Sequence, residues 1–204
     1  MQNTRERIQQ EALALFAREG YEAVSVRDIA GRLGVAQSAL YKHYASKRAI
    51  FESIVSRMRA QDCQRAQAFA VPAYSFSDGA AAYEATQIEA IKRYSFAQFL
   101  YWAEDGFAAD FRRLLTLEQY RNAEMTALYQ QYLSGGVIGY MEDLFREMGA
   151  LRARKDKTPR QLALAFYAPV YMLMNLYDAA ADKAETIDLA KAHIDGFFAD
   201  MRRE

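Results

Sequence analysis

The sequence has little of what marks a secreted or membrane-spanning protein. Its 204 residues include one cysteine, so neither a disulfide within the chain nor a cysteine-based zinc site can form. The longest weakly polar run, residues 162–174, is shorter than the ~20 residues that span a bilayer, and it contains Pro169. No signal-peptide pattern is present at the N-terminus. We therefore expect a cytoplasmic protein without a membrane segment.

The net charge is zero, which gives no global sign of a polyanionic partner. The charges are nevertheless unevenly distributed along the chain. Residues 1–60 contain ten Lys or Arg and six Asp or Glu, whereas residues 61–204 contain sixteen and twenty. A basic N-terminal part followed by an acidic remainder suits a DNA-binding module attached to a part that does not contact DNA.

The apolar periodicity predicts an all-α fold, because only three prolines interrupt it and no stretch alternates long enough to form a strand. The clearest breaks are residues 71–79 and the basic loop 152–159. We predict an N-terminal three-helix domain at 1–48, a connecting helix at 49–70 and a larger helical domain at 71–204 for ligand binding and dimerisation. The predicted helices cover about 4–19, 26–33, 37–44, 46–70, 81–103, 107–120, 123–148, 160–180 and 187–202.

The segment 25–48, SVRDIAGRLGVAQSALYKHYASKR, is the most informative in the chain. Ser25 followed by Asp28 is a capping-box pattern for a helix start, and Gly34 is placed to end that helix. After a two-residue turn, a second short helix presents polar rather than apolar side chains. This layout is that of a helix-turn-helix, whose second helix enters the major groove of DNA. The presented side chains are Gln37, Ser38, Lys42 and His43.

These residues resemble a known family. Phe16, Gly20 and Tyr21, the runs at 25–30, 33–35, 40–44 and 46–48, and Phe51 are similar to the N-terminal domain of TetR-type (TetR/AcrR) transcriptional regulators. The resemblance covers about the first quarter of the chain and implies a DNA-binding regulator. Two positions depart from the family: Ala36 stands where a capping Ser is common, which costs ~1 kcal/mol locally, and Ser38 stands where Gly is common.

The resemblance implies that Tyr41, His43 and Lys47 contact DNA phosphates. Lys47 lies in the first turn of a helix, where the free N–H groups and the dipole also attract phosphate. For each of the three an ordinary surface or packing role is the alternative. Ser25 and Arg27 are placed to reach the other wall of the groove, although Arg27 is equally placed to pair with a neighbouring carboxylate.

Base reading falls to four residues of the second short helix. Glutamine can bridge the N6 and N7 atoms of adenine, lysine can donate to guanine, and an alanine methyl can touch the thymine methyl. These pairings are permissive, so they do not define an operator sequence. The candidates are Gln37, Ser38, Ala39 and Lys42.

The last two helices are more apolar than the outer layer of a monomer needs. A four-helix bundle across a two-fold axis would bury them, and an internal pair of core helices is the alternative. A dimer would set two recognition helices one DNA turn apart and would predict a palindromic operator on double-stranded DNA. The candidate interface residues are Phe166, Val170, Leu173, Tyr177, Ile194, Phe197, Phe198 and Met201.

The middle of the chain has an unusual density of aromatic residues. Ordinary core packing is one explanation, but buried tyrosine hydroxyls need partners, and a partly polar cavity for an apolar or aromatic effector would also explain the excess. The candidate pocket residues are Tyr94, Gln98, Trp102, Phe111, Tyr120, Tyr129 and Tyr132, and Glu118 is among the candidate polar contacts.

Two other functions compete with a ligand-responsive repressor. An enzyme would need a nucleophile with a base, a metal-ligand spacing or a phosphate loop, and none is found, so we predict no enzymatic activity, no cofactor and no metal. A nucleoid-type protein would bind DNA without sequence choice and with a strong salt dependence. We therefore expect a homodimeric repressor that a small molecule releases from its operator.

Overall fold

The computed structural model describes residues 4–69, 88–147 and 157–201, and these are helical apart from short turns. The all-α prediction is confirmed. The helices are α1 (Thr4–Glu19), α2 (Val26–Leu33), α3 (Gln37–Tyr41), α4 (Lys47–Ala68), α5 (Ile88–Glu104), α6 (Gly106–Glu118), α7 (Ala123–Leu133), α8 (Gly135–Glu147), α9 (Pro159–Ala179) and α10 (Lys183–Met201).

The chain forms two compact units. The head unit comprises Met1–Asp62 with Asp105–Tyr129, and the body unit comprises Cys63–Glu104 with Gln130–Glu204. Each unit therefore takes in two separate stretches of sequence. The domain limits at residues 48 and 70 stay a prediction.

The head unit is built on α1, which packs along α6 and against α2. Its interior consists of aliphatic and aromatic side chains that are almost fully shielded from water, which is the main stabilising contribution. A buried carboxylate joins α6 to the connection between α1 and α2: Glu118 at the end of α6 accepts a hydrogen bond from the Tyr21 backbone N–H at 3.0 Å. The main buried residues of the head unit include Leu13, Phe16, Ile29, Leu40, Phe51, Ile54, Phe111 and Leu115.

The body unit is organised around α9, which packs against α8, α10 and α5. Four phenylalanines from α8, α9 and α10 form one cluster, with Phe166 lying 5.0 Å from Phe197 and 5.4 Å from Phe198 between ring centroids. Phe145 completes it at 6.1 Å from Phe166. These separations allow the edge-to-face contacts that aromatic rings favour.

This packing involves most of the residues predicted for the dimer interface, which stays a prediction. The α9 residues of that predicted interface are buried within the single chain, where Phe166 and Val170 are 3% and 5% exposed to solvent. Ile194 and Phe198 of α10 are buried too, and Phe197 packs on Phe166. Within the single chain these side chains pack as an internal pair of helices, which is the alternative that the sequence left open. The buried α9 members are Phe166, Val170, Leu173 and Tyr177; the side chain of Met201 lies outside the described residues.

The single long helix predicted at 123–148 is wrong, because α7 ends at Leu133 and α8 begins at Gly135. Glycine costs up to ~1 kcal/mol in a helix interior, and two adjacent glycines follow the break. A Cβ atom on Gly136 would collide with the Gln131 carbonyl oxygen, so only glycine fits this bend.

Other helix limits differ by smaller amounts. The recognition helix α3 ends at Tyr41 rather than near residue 44, and α10 begins at Lys183, four residues before the predicted start. Asp182 caps α10 by accepting the Ala184 N–H at 2.9 Å, a signal that the sequence analysis missed. The predicted break at 71–79 and most of the loop at 152–159 lie outside the described residues, while Pro159 opens α9.

Candidate DNA-binding surface

The start of α2 is fixed by the predicted capping box. The Ser25 hydroxyl accepts the Asp28 backbone N–H at 3.2 Å, and the Asp28 carboxylate accepts the Ser25 backbone N–H at 2.8 Å. The Ser25 hydroxyl also donates to the same carboxylate at 2.6 Å, and these hydrogen bonds hold the pKa of Asp28 below its usual 3.8. The cap thus uses the Ser25 side chain internally, although the residue stays exposed.

The turn between α2 and α3 depends on Gly34, whose φ of 69° is left-handed and whose backbone N–H bonds back to α2. Ala36 then stands at the N-cap of α3 and makes no side-chain cap hydrogen bond, as expected from the sequence. Leu40, which is 1% exposed, anchors α3 from beneath together with the buried Tyr44. Packing rather than capping therefore holds this five-residue helix in place.

The predicted base-reading residues lie on the outer side of α3. Gln37, Ser38 and Lys42 are exposed, and Ala39 is half-buried. The Gln37 amide donates to the Tyr41 hydroxyl at 3.3 Å, which orders two neighbouring side chains one turn apart. Lys42 makes no hydrogen bond, ion pair or ring contact with the described residues. The surface thus offers one amide, one hydroxyl and one free ammonium group.

The predicted phosphate-contacting residues fall into two groups. Tyr41 is 49% exposed and Arg27 is exposed, while His43 is half-buried at the end of α3. Lys47 is engaged within the head unit: its ammonium donates to the Tyr21 carbonyl oxygen at 2.8 Å and lies 4.3 Å from the centroid of the Tyr21 ring. With only 21% of its side chain exposed, Lys47 fastens α4 to the α1–α2 connection.

Sequence reasoning missed a supporting residue at the start of α1. Arg5 donates to the backbone carbonyl of His43 at 3.0 Å and lies over the Tyr44 ring at 5.2 Å. A cation at the carbonyl end of a helix is favourable, so Arg5 stabilises the C-terminus of α3. The sequence separation of 38 residues hides this contact from any local pattern.

The predicted effector-pocket residues are divided between the two units. Tyr94, Gln98, Trp102 and Tyr132 belong to the body unit, where the Gln98 amide donates to the Tyr94 hydroxyl at 2.6 Å and accepts from Arg65 at 3.1 Å. Trp102 contacts Tyr132 with ring centroids 6.5 Å apart. The members in the head unit are the buried Phe111, the half-buried Tyr129 and Tyr120, which is 90% exposed.

Glu118, a candidate polar contact for the effector, has a different role in the structure. Its carboxylate is 1% exposed and is occupied by the Tyr21 N–H and by Arg121 at 3.3 Å. Among the described residues, no group of His, Cys, Asp and Glu side chains is arranged to hold a metal ion. None of the helices in the described ranges is long and apolar enough to cross a bilayer.

The segment that carries this surface is similar to a known protein family. Residues 8–54 match the family profile described as bacterial regulatory proteins, tetR family. This segment is similar to the DNA-binding domain of TetR-family regulators. The match ends in α4 and includes the whole helix-turn-helix, so the resemblance found from the sequence is confirmed. TetR-family proteins are DNA-binding regulators rather than enzymes, in agreement with the sequence analysis.

Solved structures are similar in fold to nearly the whole of this chain. PfmR, a TetR-family regulator from Thermus thermophilus, is 22% identical with a TM-score of 0.64, covering 97% of this chain and 100% of that one. SmeT, the repressor of the Stenotrophomonas maltophilia multidrug efflux pump SmeDEF, was solved in complex with triclosan and is 20% identical, with a TM-score of 0.62 and coverage of 97% and 91%. A putative regulator from Saccharomonospora viridis in complex with choline is 20% identical, with a TM-score of 0.62 and coverage of 96% and 95%. No curated protein matches the chain.

Proposed function

We propose that the protein is a homodimeric transcriptional repressor that binds a palindromic DNA operator and is released from it by an apolar or aromatic small molecule. The observation that carries the DNA-binding part is the exposure of Gln37, Ser38 and Lys42 on a helix fixed from beneath by Leu40. An exposed polar face on a short, well-anchored helix is what the major groove accepts.

Selection of bound duplexes from random DNA tests this part. An enriched inverted repeat, with half-sites about one DNA turn apart, is expected for a dimer. Lys42→Ala should change the preferred bases, because the exposed ammonium of Lys42 is proposed to donate to a base edge. Arg18→Gln removes a charge from the far end of α1 and serves as the control that should leave the selected motif unchanged. Binding without any enriched repeat would instead favour the nucleoid-type function.

The dimer is proposed to use the outer face of α9 rather than the buried residues first expected. Leu164, Met172 and Leu176 recur at four- and eight-residue spacing and are 47%, 59% and 53% exposed. On α10, Leu189 is 52% exposed. An apolar stripe on helices that already bury their inner faces supports a helix-to-helix contact between two copies.

A charge placed on that stripe tests the dimer. Met172→Glu should produce a monomer, because an isolated carboxylate cannot be buried against a second apolar face. The control is Leu117→Glu, which places the same charge on an exposed leucine of the head unit. Light scattering coupled to size exclusion measures the mass of each variant. A wild-type monomer, or a Met172→Glu dimer as stable as the wild type, would overturn this assignment.

The effector is proposed to bind in the body unit beside Tyr94, Gln98, Trp102 and Tyr132. These residues combine ring faces with amide and hydroxyl groups, which is the composition of a small-molecule site. The SmeT complex with triclosan and the S. viridis regulator complex with choline support a small-molecule role for this fold.

The single tryptophan of the sequence provides a direct readout for effector binding. An aromatic ligand that binds next to Trp102 should change its fluorescence saturably, and the same ligand should raise the melting temperature by mass action. Triclosan is a suitable first probe, with choline as the polar comparison. A ligand that releases DNA without changing the fluorescence of Trp102 would place the effector site elsewhere.

A further inference from the structure

Most of the basic side chains in the DNA-binding domain are engaged by other groups. Residues 4–60 contain ten Lys or Arg, and seven of them form hydrogen bonds, ion pairs or ring contacts, such as Arg32 with Glu11 at 2.9 Å and Arg48 with Glu124. Within the described residues three have no such contact. These three are Arg7, Arg27 and Lys42.

Two of these unengaged cations are among the three that the sequence assigns to DNA, and the third assigned cation, Lys47, is engaged with Tyr21. Lys42 is the C-cap residue directly after α3, and Arg27 lies in the first turn of α2. The third unengaged cation, Arg7, lies in the second turn of α1, which the sequence analysis did not connect with DNA. The pattern indicates that α1 supplies a third positive group to the same surface.

The position of Arg7 supports this reading. A shallow surface groove lies between the start of α1 and the recognition helix, and Arg7 lines it together with Ala39 and His43. The lining contains no Asp or Glu, and Arg7 is its one Lys or Arg side chain, so no carboxylate of the groove opposes the guanidinium. The others are Thr4, Ile8, Leu33, Val35 and Leu40.

The dimensions of DNA indicate what would reach this groove. The major groove is ~12 Å wide and a helix with its side chains is about 10–12 Å across, so phosphates flank an inserted helix on both sides. Arg27 lies on the α2 side of α3, and Arg7 lies on the α1 side. Because Arg7 and His43 line the same groove, a phosphate that entered it would meet both side chains.

We propose that Arg7 is a DNA phosphate-contacting residue that fixes the recognition helix on its α1 side. The proposal rests on the DNA-binding function proposed above. Arg5 supports it indirectly, because its hydrogen bond to the His43 carbonyl holds the end of α3 next to Arg7. A guanidinium suits a phosphate because it can donate two parallel hydrogen bonds to it.

Salt dependence of DNA binding separates a phosphate contact from a structural role. The purified full chain is titrated against a labelled random-sequence duplex of about three helical turns between 50 and 200 mM salt. Each lost phosphate contact lowers the slope of log affinity against log salt by about 0.9, so Arg7→Gln should lower it by about 1.8 for two heads. Over that salt range the wild type should then lose about tenfold more affinity than Arg7→Gln.

Two matched variants complete the design. Arg7→Lys keeps the charge and should retain the wild-type slope. Arg18→Gln removes one charge from the same helix, about 16 Å further along it, where Arg18 pairs with Glu19, and should also leave the slope unchanged. Circular dichroism melting checks that each variant is folded, which exposed positions should permit.

The outcomes distinguish this inference from the function on which it rests. If Lys42→Ala weakens binding while Arg7→Gln behaves like Arg18→Gln, the Arg7 assignment is wrong and DNA binding stands. If the wild type binds neither this duplex nor a selected one, DNA binding fails and the Arg7 contact fails with it. A reduced slope in Arg7→Gln, restored in Arg7→Lys, supports the phosphate contact.

Discussion

Gly20→Ala tests whether the contact between α1 and α6 holds the DNA-binding domain together. Gly20 ends α1 with a φ of +89°, and a Cβ atom there would lie 2.6 Å from the Glu118 carboxylate oxygen. That oxygen is the acceptor for the Tyr21 N–H, so it cannot move without losing a buried hydrogen bond. Gly34 is the matched control, because its φ of +69° is also left-handed but a Cβ atom would meet nothing within 4 Å.

The structure gives a different magnitude for each substitution. Left-handed backbone costs a non-glycine residue about 1–2 kcal/mol, and the lower entropy of the unfolded alanine chain offsets about 0.4–1 kcal/mol of this. Gly34→Ala should therefore lower the free energy of unfolding by ~1 kcal/mol. Gly20→Ala should also disrupt a hydrogen bond to a charged group, which contributes about 1.5–3 kcal/mol, for a total of about 2.5–4 kcal/mol.

Urea unfolding followed by circular dichroism measures both values, and a double-mutant cycle shows their cause. In a Glu118→Ala background the obstructing carboxylate is absent, so Gly20→Ala should cost only the ~1 kcal/mol of backbone strain. The coupling between positions 20 and 118 should be about 2 kcal/mol. Equal costs for Gly20→Ala and Gly34→Ala in the wild-type background would refute the proposed role of the Glu118 contact.

Two further predictions concern the helix ends. Ser25→Ala should lower the free energy of unfolding by ~1 kcal/mol at neutral pH, because the helix cap is lost. The folded-state pKa of Asp28 is lowered from 3.8, so the stabilisation by its carboxylate is complete above pH 3.8 and is lost below it. The free energies of unfolding of Asp28→Asn and the wild type, measured in urea, should therefore converge at pH ~2. Gly136→Ala should destabilise the protein by about 1–3 kcal/mol, because the added Cβ atom collides with the Gln131 carbonyl. Gly139→Ala in the same helix has open space and should stabilise the protein by about 0.5–1 kcal/mol. Thermal unfolding compares the two variants, and similar shifts of their melting temperatures would contradict the bend at α8.

The helix ends of the DNA-binding domain could be predicted because their signals are local. Ser25 and Asp28 are three residues apart, Gly34 follows the last turn of α2, and Ser46 caps α4 through the Ala49 N–H at 3.0 Å. Each of these caps uses atoms within a few residues of the helix that it ends. The same is not true of Arg5 or Glu118, whose partners are 38 and 97 residues away.

The sequence could not separate the buried face of α9 from its exposed face, because α9 is apolar on both. Leu162, Phe166 and Val170 point inward and Leu164, Met172 and Leu176 point outward, and both sets recur at helical spacing. Periodicity identifies one apolar stripe only when the opposite face is polar. The long helix predicted at 123–148 failed for a related reason, since the apolar pattern continues across the glycines that break it.

The charge of the DNA-binding domain shows how composition and structure give different information. An excess of four positive charges in residues 1–60 predicts a basic module but does not say which face meets DNA. Once basic residues engaged in internal contacts are set aside, the unengaged cations of residues 4–60 lie around one helix, on α1, on α2 and directly after α3. Cations already held by carboxylates, carbonyls or rings must lose those contacts to bind a phosphate, whereas Arg7 and Lys42 lose only water and Arg27 only its charge interaction with Asp28. The contacts of each basic side chain therefore distinguish the cations that we propose to face DNA, which net charge alone does not do.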